Sequence, residues 1–303
     1  MNDMPNVLQS ALTSKAQAIN KALAVALNRH DPDTETLWEA MRYSATAPGK
    51  RIRPILTLEF CRLMGGAQED AMPFALAVEC LHAASLIHDD LPCMDDDSLR
   101  RGRSTNHVVF GEATALLAGD ALICFAHELA ARNDRVSEAA RLHALCALSE
   151  KTGPAGMMGG QMMDMDKEAV SDLPRLRKLH RLKTGRLVAL ATRLGCLSAG
   201  LLPGRQDGAF RAAADYADGL GAAFQIVDDL LDVTGDPAQT GKSSGQDKKN
   251  SKATFVTLLG TDGAYAEAER QTESAKAAIQ NFGTPRQRVF LERLADFLLH
   301  RTA

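Results

Sequence analysis

The sequence predicts an all-α protein, and two observations lead to that fold class. Apolar residues recur three or four positions apart in nearly every segment, as in Leu8, Leu12, Ala16, Ile19 and Leu23. Alternating strand patterns are almost absent from the sequence, and short breaks with Pro or Gly separate segments of about ten to twenty-five residues. Helices of that length joined by short turns indicate a helical bundle.

The composition favours one large domain over residues 1–303. Hydrophobic residues make up 45% of the 303-residue chain, which is enough apolar surface for a large helical core. None of the breaks is long or rich enough in Gly and Ser to act as an interdomain linker. The 35 Lys and Arg residues against 38 Asp and Glu residues give a net charge of −3. Without a general basic field, we expect neither nucleic acid nor a membrane as a partner.

The cysteines and the N-terminal segment indicate a cytoplasmic location. Six cysteines are scattered without CxxC pairs in a chain that is large enough to fold without disulfides, so we expect reduced core thiols. Residues 1–14 have neither a basic region nor an uninterrupted apolar run, so we expect no secretory signal. The longest apolar stretch, residues 71–87, is interrupted by Pro73, Glu79 and His82 and is shorter than the ~20 residues of a membrane span. It predicts a buried helix.

An acidic motif follows this apolar stretch directly, at residues 88–97 (HDDLPCMDDD). It contains five carboxylates within nine residues. Pro92 disfavours helix in the residue before it, so the helix should end there and Asp95 should turn back toward Asp89 and Asp90. Crowded carboxylates need a cation, and oxygen ligands without Cys or His suit Mg²⁺ held together with substrate phosphates. For this motif alone, a solvated acidic loop is the alternative.

A second acidic motif lies at residues 224–232 (FQIVDDLLD). Asp228 and Asp232 stand four residues apart, on one face of a predicted helix, with apolar neighbours around them. Burying carboxylates on an apolar helix costs free energy unless they have partners. A metal held between the two acidic helices would satisfy both motifs together, so the pair predicts a metal site more strongly than either motif does.

Basic residues stand where a metal-bound diphosphate would need them. Arg100 and Arg101 follow the first acidic motif, and residues 49–54 (GKRIRP) open a helix whose free N–H groups favour anions. Mutual salt bridging between the acidic and basic groups is the alternative. Further candidates are His82, which alone would more often be a core histidine, and three lysines that alone are typical of a surface: Lys183, Lys242 and Lys252.

These motifs together resemble the short-chain trans-isoprenyl diphosphate synthases, the farnesyl and geranylgeranyl diphosphate synthases of bacterial type. The likeness runs from about residue 35 to the C-terminus, and the motifs occur in the family's order. They are GKRIRP at 49–54, LIHDDLPCMDDDSLRRG at 86–102, KTG at 183–185, FQIVDDLLD at 224–232, and the lysines at 242 and 252.

The resemblance implies a fold, an activity and a set of site residues. The implied fold is an antiparallel helical bundle of the isoprenoid synthase type around a deep central cavity, usually as a homodimer. The implied reaction condenses isopentenyl diphosphate with dimethylallyl, geranyl or farnesyl diphosphate through an Mg²⁺-assisted allylic carbocation, and it releases pyrophosphate. Mn²⁺ is the implied substitute for Mg²⁺.

Residue roles are carried over from the resemblance position by position. Two Mg²⁺ ions would bind Asp89, Asp90 and Asp95, and a third would bind Asp228 and Asp232. The allylic diphosphate pocket would be completed by Arg100, Lys183, Gln225, Lys242 and Lys252. Thr184 would steady the carbocation, and isopentenyl diphosphate would be held by Lys50, Arg53, His82 and Arg101. Catalysis would depend most directly on Lys183, Thr184, Arg100 and Arg101.

The residues just before the first acidic motif bear on product length. In the resembled family a bulky aromatic side chain there limits the product to C15, whereas this chain has Ala84 and Ser85. The small side chains favour a C20 product. Alternatively, Leu81, Phe110 or another side chain closes the cavity from a different direction and the product remains C15.

Two other functions share part of this pattern of residues. A terpene cyclase shares aspartate-bound Mg²⁺ but needs no second diphosphate site and usually lines its cavity with aromatic residues, whereas this chain has one Trp and three Tyr. A non-catalytic partner subunit of a prenyl synthase would be expected to lose aspartates, and both acidic motifs are intact.

Overall fold

A computed structural model describes residues 4–166, 172–234 and 253–301 of the protein. In its first part the helices are α1 (Met4–Ala26), α2 (Glu35–Ala45), α3 (Ile52–Leu63), α4 (Gln68–Asp89), α5 (Asn106–Phe110), α6 (Glu112–Ala131), α7 (Glu138–Thr152) and α8 (Met157–Met165). The later helices are α9 (Leu173–His180), α10 (Arg186–Ser198), α11 (Asp207–Thr234), α12 (Phe255–Ala278) and α13 (Pro285–Leu299), with a π-helical turn at Arg181–Gly185. The predicted all-α fold is confirmed.

The strands within the described residues form one short antiparallel hairpin next to the first acidic motif. Strand β1 (Leu99–Arg100) pairs with β2 (Arg103–Ser104), with Leu99 opposite Ser104. Arg101 and Gly102 form the turn, with φ angles of 54° and 75°. The hairpin therefore presents the arginines that follow the acidic motif on a defined turn.

Helix α4 lies in the middle of the bundle and ends at the first acidic motif. It packs against α3, α6 and α10, while α11 packs against α10 and α12. The side chains of Phe74, Val78, Leu81 and Ile87 are fully or almost fully buried along its length. Burying a large aliphatic or aromatic side chain contributes about 1.5–3 kcal/mol, so α4 provides a stable frame for the residues at its end.

Two described helices, α4 and α6, are long and apolar enough to cross a membrane by length and composition alone. In α4, 67% of the most apolar stretch is buried inside the protein, and in α6 the share is 39%. The prediction of a buried helix at residues 71–87 is confirmed by α4.

The cysteine prediction is only partly correct. All six thiols are free of disulfide bonds, and Cys61, Cys80 and Cys196 are buried as expected. Cys93 and Cys124, together with Cys146, are exposed, so the expectation that all six lie in the core is wrong. Cys93 belongs to the loop after α4, and Cys124 lies on an exposed part of α6.

Candidate active site

A cavity of about 420 Å³ lies between α4, α8 and the π-helical turn. Its wall is mainly apolar, with Leu81 and Leu86 of α4, Ile123 of α6 and Leu187 of α10 among the lining residues. Predicted site residues also line it, and they come from α3, α4 and the π-helical turn: Arg53, His82, Ala84, Ser85, Asp89, Lys183 and Thr184. The structure therefore gathers acidic, basic and predicted chain-length residues around one cavity.

The first acidic motif turns back at the rim of this cavity, as its Pro predicts. Helix α4 ends at Asp89, and the backbone N–H of Asp95 donates to the Asp89 carbonyl at 2.9 Å. Burial is the main cause that raises the pKa of the half-buried Asp89. The positive charge of Lys183 lowers this pKa, while the nearby Asp95 and Asp164 carboxylates raise it further. Carboxylates that repel one another in this way favour a bound cation.

Asp90 has a different environment from Asp89. Its carboxylate is buried and accepts a hydrogen bond from Arg100 Nε at 2.6 Å. Burial raises its pKa to about 6, although the Arg100 guanidinium opposes that shift. The structure thus places Asp90 as the partner of Arg100, while Asp89 faces the cavity.

The second acidic motif lies on α11 and pairs with the C-terminal residues. Arg301 donates to the Asp228 carboxylate and, at 3.1 Å, to the Phe224 carbonyl, and its guanidinium stacks on the Phe224 ring at 4.0 Å. Asp229 accepts from the Phe255 N–H at 2.7 Å and so anchors the start of α12. Asp232 is half-buried, one turn beyond Asp228. Arg301 carries no motif signal and could not be identified from the sequence.

The π-helical turn presents Lys183 and Thr184 to the cavity. Lys183 Nζ bonds to Asp164 Oδ2 at 2.7 Å, and Thr184 Oγ1 donates to Gln225 Oε1 of α11 at 3.0 Å. Gly160 of α8 permits this arrangement, because a Cβ there would lie 2.2 Å from the Lys183 backbone nitrogen. Asp164 likewise belongs to no motif, so its contact with Lys183 could not be predicted from the sequence.

Two of the predicted isopentenyl diphosphate residues, Arg53 and His82, face each other in the cavity wall. Arg53 Nη1 faces His82 Nε2 at 3.4 Å, and Arg101 Nη1 donates to the Pro48 carbonyl at 2.7 Å. Protein surrounds His82 except where it meets the cavity; this burial, together with the positive charge of Arg53, holds its pKa well below the usual value. A neutral imidazole can accept from Arg53.

Lys50 connects this basic group to the second acidic motif. Burial is the main cause that lowers its pKa, followed by repulsion from Arg301, while attraction to Asp228 opposes both. The basic loop before α3 therefore lies within electrostatic reach of α11. Lys242 and Lys252 lie outside the described residues.

The donor chemistry fits Mg²⁺ shared with a substrate. Within the described ranges, no group of three or more His, Cys, Asp or Glu side chains is close enough to hold a metal ion alone. The carboxylates are instead distributed as Asp89 and Asp95 at the end of α4 and Asp228 and Asp232 on α11. Mg²⁺ is usually bound by one or two carboxylates together with substrate phosphates and water, so this distribution is compatible with it.

The far wall of the cavity combines small and flexible side chains. Ala84, Ser85 and Leu81 contribute from α4. Phe110 is not among the described lining residues and instead packs edge to face on Tyr43, with ring centroids 5.5 Å apart. Five methionines also line the wall, which the repeated Met pairs of α8 could have suggested: Met94, Met157, Met158, Met162 and Met165.

Comparison with known proteins gives concordant findings. A family model described as Polyprenyl synthetase matches residues 34–287. The chain is 41% identical to the farnesyl diphosphate synthase of Escherichia coli strain K12, over 99% of each chain. It is 38% identical to the geranylgeranyl diphosphate synthase of Cyanophora paradoxa, over 97% of this chain and 96% of that relative. The apo crystal structure of an FPP/GFPP synthase from Zymomonas mobilis matches with a TM-score of 0.85 and 35% identity, over 97% of this chain and 100% of that one.

Proposed function

This chain belongs to the polyprenyl synthetase family, and we propose that it is a transferase that joins isopentenyl diphosphate head to tail with an allylic diphosphate. The observation that carries this proposal is that Asp89 and Lys183 line the same apolar cavity as Arg53 and His82. It offers one acidic and one basic region at the rim and an apolar interior for hydrocarbon.

The acidic region is proposed to bind the allylic diphosphate through Mg²⁺. The carboxylates that would hold the metal are Asp89, Asp90, Asp95, Asp228 and Asp232, with three ions expected. Bound there, Mg²⁺ supplies positive charge that stabilises the leaving diphosphate. Asp90 in addition orients Arg100, as their 2.6 Å contact supports.

The chain's own cations would complete this diphosphate site. Arg100 presents a fork suited to phosphate oxygens, and Lys183 offers a point charge held in place by Asp164. Thr184, oriented by Gln225, would steady positive charge on the allylic group near the diphosphate. Lys242 and Lys252 are proposed for the same site on the family pattern alone.

The basic region is proposed to bind isopentenyl diphosphate through Lys50, Arg53, His82 and Arg101. When the allylic C–O bond breaks, pyrophosphate leaves with the bonding electron pair. The double bond of isopentenyl diphosphate then attacks the allylic carbon, and pyrophosphate takes the proton whose loss restores a double bond. The apolar wall excludes water, which would otherwise capture the carbocation.

The same two-sided rim favours a synthase over the alternatives. A terpene cyclase acts on one diphosphate and has no use for the group formed by Arg53, His82 and Arg101. A non-catalytic partner subunit has no use for carboxylates at Asp89 and Asp228. The decisive experiment supplies purified protein with Mg²⁺, isopentenyl diphosphate and each allylic primer, without a partner. Condensation products support the proposal, and absence of any product with every primer overturns it.

The product is proposed to be C20, because Ala84 leaves the α4 side of the cavity open and Phe110 packs elsewhere. The C15 alternative would require Leu81 or the methionine wall to stop chain growth. Replacing Ala84→Tyr should shift the product from C20 to C15, measured as carbon number after dephosphorylation. A wild-type product of C15 alone would contradict the role of Ala84.

We further propose a cytoplasmic homodimer of chains that each fold as one domain over residues 1–303. Helix α6 and the preceding α5 expose apolar side chains, with Leu117 56% and Val108 52% exposed. Such neighbouring apolar groups are typical of a contact surface between proteins. Light scattering should give the dimer mass for the wild type and the monomer mass for Leu117→Arg; a wild-type monomer would contradict the proposal.

A further inference from the structure

Arg51 and Glu79 form a buried ion pair beneath the basic region. Their side chains are 2% and 4% exposed, and Arg51 Nη1 donates to Glu79 Oε1. Neither residue lines the cavity among the described residues that do, and neither has a role in the reaction as proposed above. A buried ion pair does not by itself stabilise a fold, so this pair calls for another explanation.

Arg51 uses its whole guanidinium to fix the loop that carries Lys50. Besides Glu79, it donates through Nε to Asn20 Oδ1 of α1 at 2.7 Å and through Nη2 to the Ala47 carbonyl. Its backbone is left-handed, with φ of 51°, directly before α3. A left-handed conformation is unfavourable for a residue with a Cβ and persists only when its surroundings impose it. Here the ion pair and the two hydrogen bonds impose it.

Glu79 also faces the cations of the proposed isopentenyl diphosphate site. It stands three residues before His82 on α4, so both share a face of the helix. Its charge raises the pKa of Arg53 and of Arg101, although burial lowers both overall. The carboxylate therefore offsets the repulsion among three neighbouring guanidiniums.

We propose that Arg51 and Glu79 are positioning residues that preorganise the basic region for isopentenyl diphosphate. The inference rests on the proposed function of that region. Arg51 sets the path of the loop between α2 and α3, and Glu79 holds Arg51 while it keeps Arg53 and Arg101 close together. Neither residue touches the substrate.

The direction in which one substitution changes the affinity for isopentenyl diphosphate distinguishes a positioning role from a purely electrostatic one. Glu79→Gln removes a negative charge near an anion site, which by Coulomb's law alone would tighten diphosphate binding. If the carboxylate positions the cations, the same variant should instead weaken isopentenyl diphosphate binding about tenfold, as expected for loss of a charged hydrogen bond. The two explanations thus predict opposite changes.

The test measures isopentenyl diphosphate affinity by calorimetry and KM for both substrates by pyrophosphate release. Glu79→Gln and Arg51→Lys should each raise Kd and KM for isopentenyl diphosphate about tenfold with the KM of the allylic substrate unchanged. Asn20→Ala should raise Kd and KM for isopentenyl diphosphate about threefold. This variant tests the inference if Glu79→Gln and Arg51→Lys fail to fold.

Glu59→Gln is the matched control. Glu59 is a buried carboxylate of α3 paired with Lys15 and Arg62, each at 2.6 Å, away from the cavity. Its replacement should lower thermal stability without changing either KM. The inference would be overturned if the KM values for both substrates changed equally or if Glu79→Gln bound isopentenyl diphosphate more tightly. It would also be overturned if Glu59→Gln raised the KM for isopentenyl diphosphate as much as Glu79→Gln.

The calorimetry distinguishes this outcome from failure of the proposed function. Wild-type protein that binds isopentenyl diphosphate but forms no product leaves the positioning role intact and removes the synthase. If the wild-type protein forms product and Glu79→Gln binds isopentenyl diphosphate with unchanged affinity, the synthase is supported and the positioning role is overturned.

Discussion

The acidic and basic regions of the rim hold their charges in different ways. Asp95 is exposed in a turn beyond the end of α4, and Asp89 is half-buried beside it. On the basic side, Arg51 and Glu79 are buried and Arg53 is enclosed next to His82. Asp89 and Asp95 can adjust when a cation and a diphosphate arrive, whereas Arg53 and His82 are positioned beforehand.

This difference has a physical basis. Carboxylates that repel one another are stabilised by the incoming Mg²⁺, so fixing them tightly beforehand would cost free energy. Guanidiniums that must hold one diphosphate gain affinity when their geometry is already correct. The comparison predicts that damage to the acidic region lowers turnover, while damage to the basic region raises KM for one substrate.

The largest effect is expected from Asp89→Asn. It removes a carboxylate at the cavity rim that is proposed to hold the metal, and kcat should fall about a thousandfold, as when a major electrostatic stabiliser is lost. The measurement is the steady-state rate of pyrophosphate release with saturating substrates and Mg²⁺.

Asp96→Asn is the matched control for this acidic variant. Asp96 is exposed in the same loop with φ of 53°, a left-handed conformation that Asn tolerates. Its kcat should stay within about threefold of wild type, the range of an exposed substitution. Equal losses in both variants would mean that the loop as a whole, and not Asp89, carries the effect.

A smaller effect, confined to one substrate, is expected from Gly49→Ala. An added Cβ at Gly49 would lie 2.5 Å from Arg101 Nη1, so the guanidinium of Arg101 must shift from its present position. We expect about a tenfold increase in KM for isopentenyl diphosphate with kcat nearly unchanged.

Gly208→Ala serves as its control, because a Cβ there meets no atom within 4 Å. Its KM values should match those of wild type. A fall in kcat with unchanged KM in Gly49→Ala would break the proposed division between the two regions.

The smallest effect concerns the enclosure of His82. Its pKa is lowered in the folded protein by burial and by Arg53, so below the unfolded pKa near 6.5 the unfolded chain binds more protons. The free energy of unfolding should therefore decrease as pH falls through 6.5, by about 1 kcal/mol at pH 5.5 after allowance for solvent in the cavity.

Denaturant unfolding at pH 7.5 and 5.5 measures this contribution. His82→Gln should show a weaker decrease than wild type by about that amount. Parallel curves for His82→Gln and wild type would show that the basic region is open to solvent and not enclosed.

Much of the fold and the acidic site followed from local patterns. Helical spacing predicted α4, and Pro92 predicted the turn that brings Asp95 back to Asp89, as their backbone hydrogen bond confirms. Asp164 and Arg301 could not be predicted in the same way. Arg301 meets Asp228 from 73 residues away, and no periodicity encodes which distant side chains meet.

The sequence by itself determined the helical class, the position of the acidic motifs and the charge types near them, because these depend on neighbouring residues. Only the tertiary structure decided that Asp90 pairs with Arg100, that Lys183 pairs with Asp164 and that Glu79 pairs with Arg51. Those outcomes depend on how separate helices pack, since burial selects partners for each charge from whichever segments lie nearby.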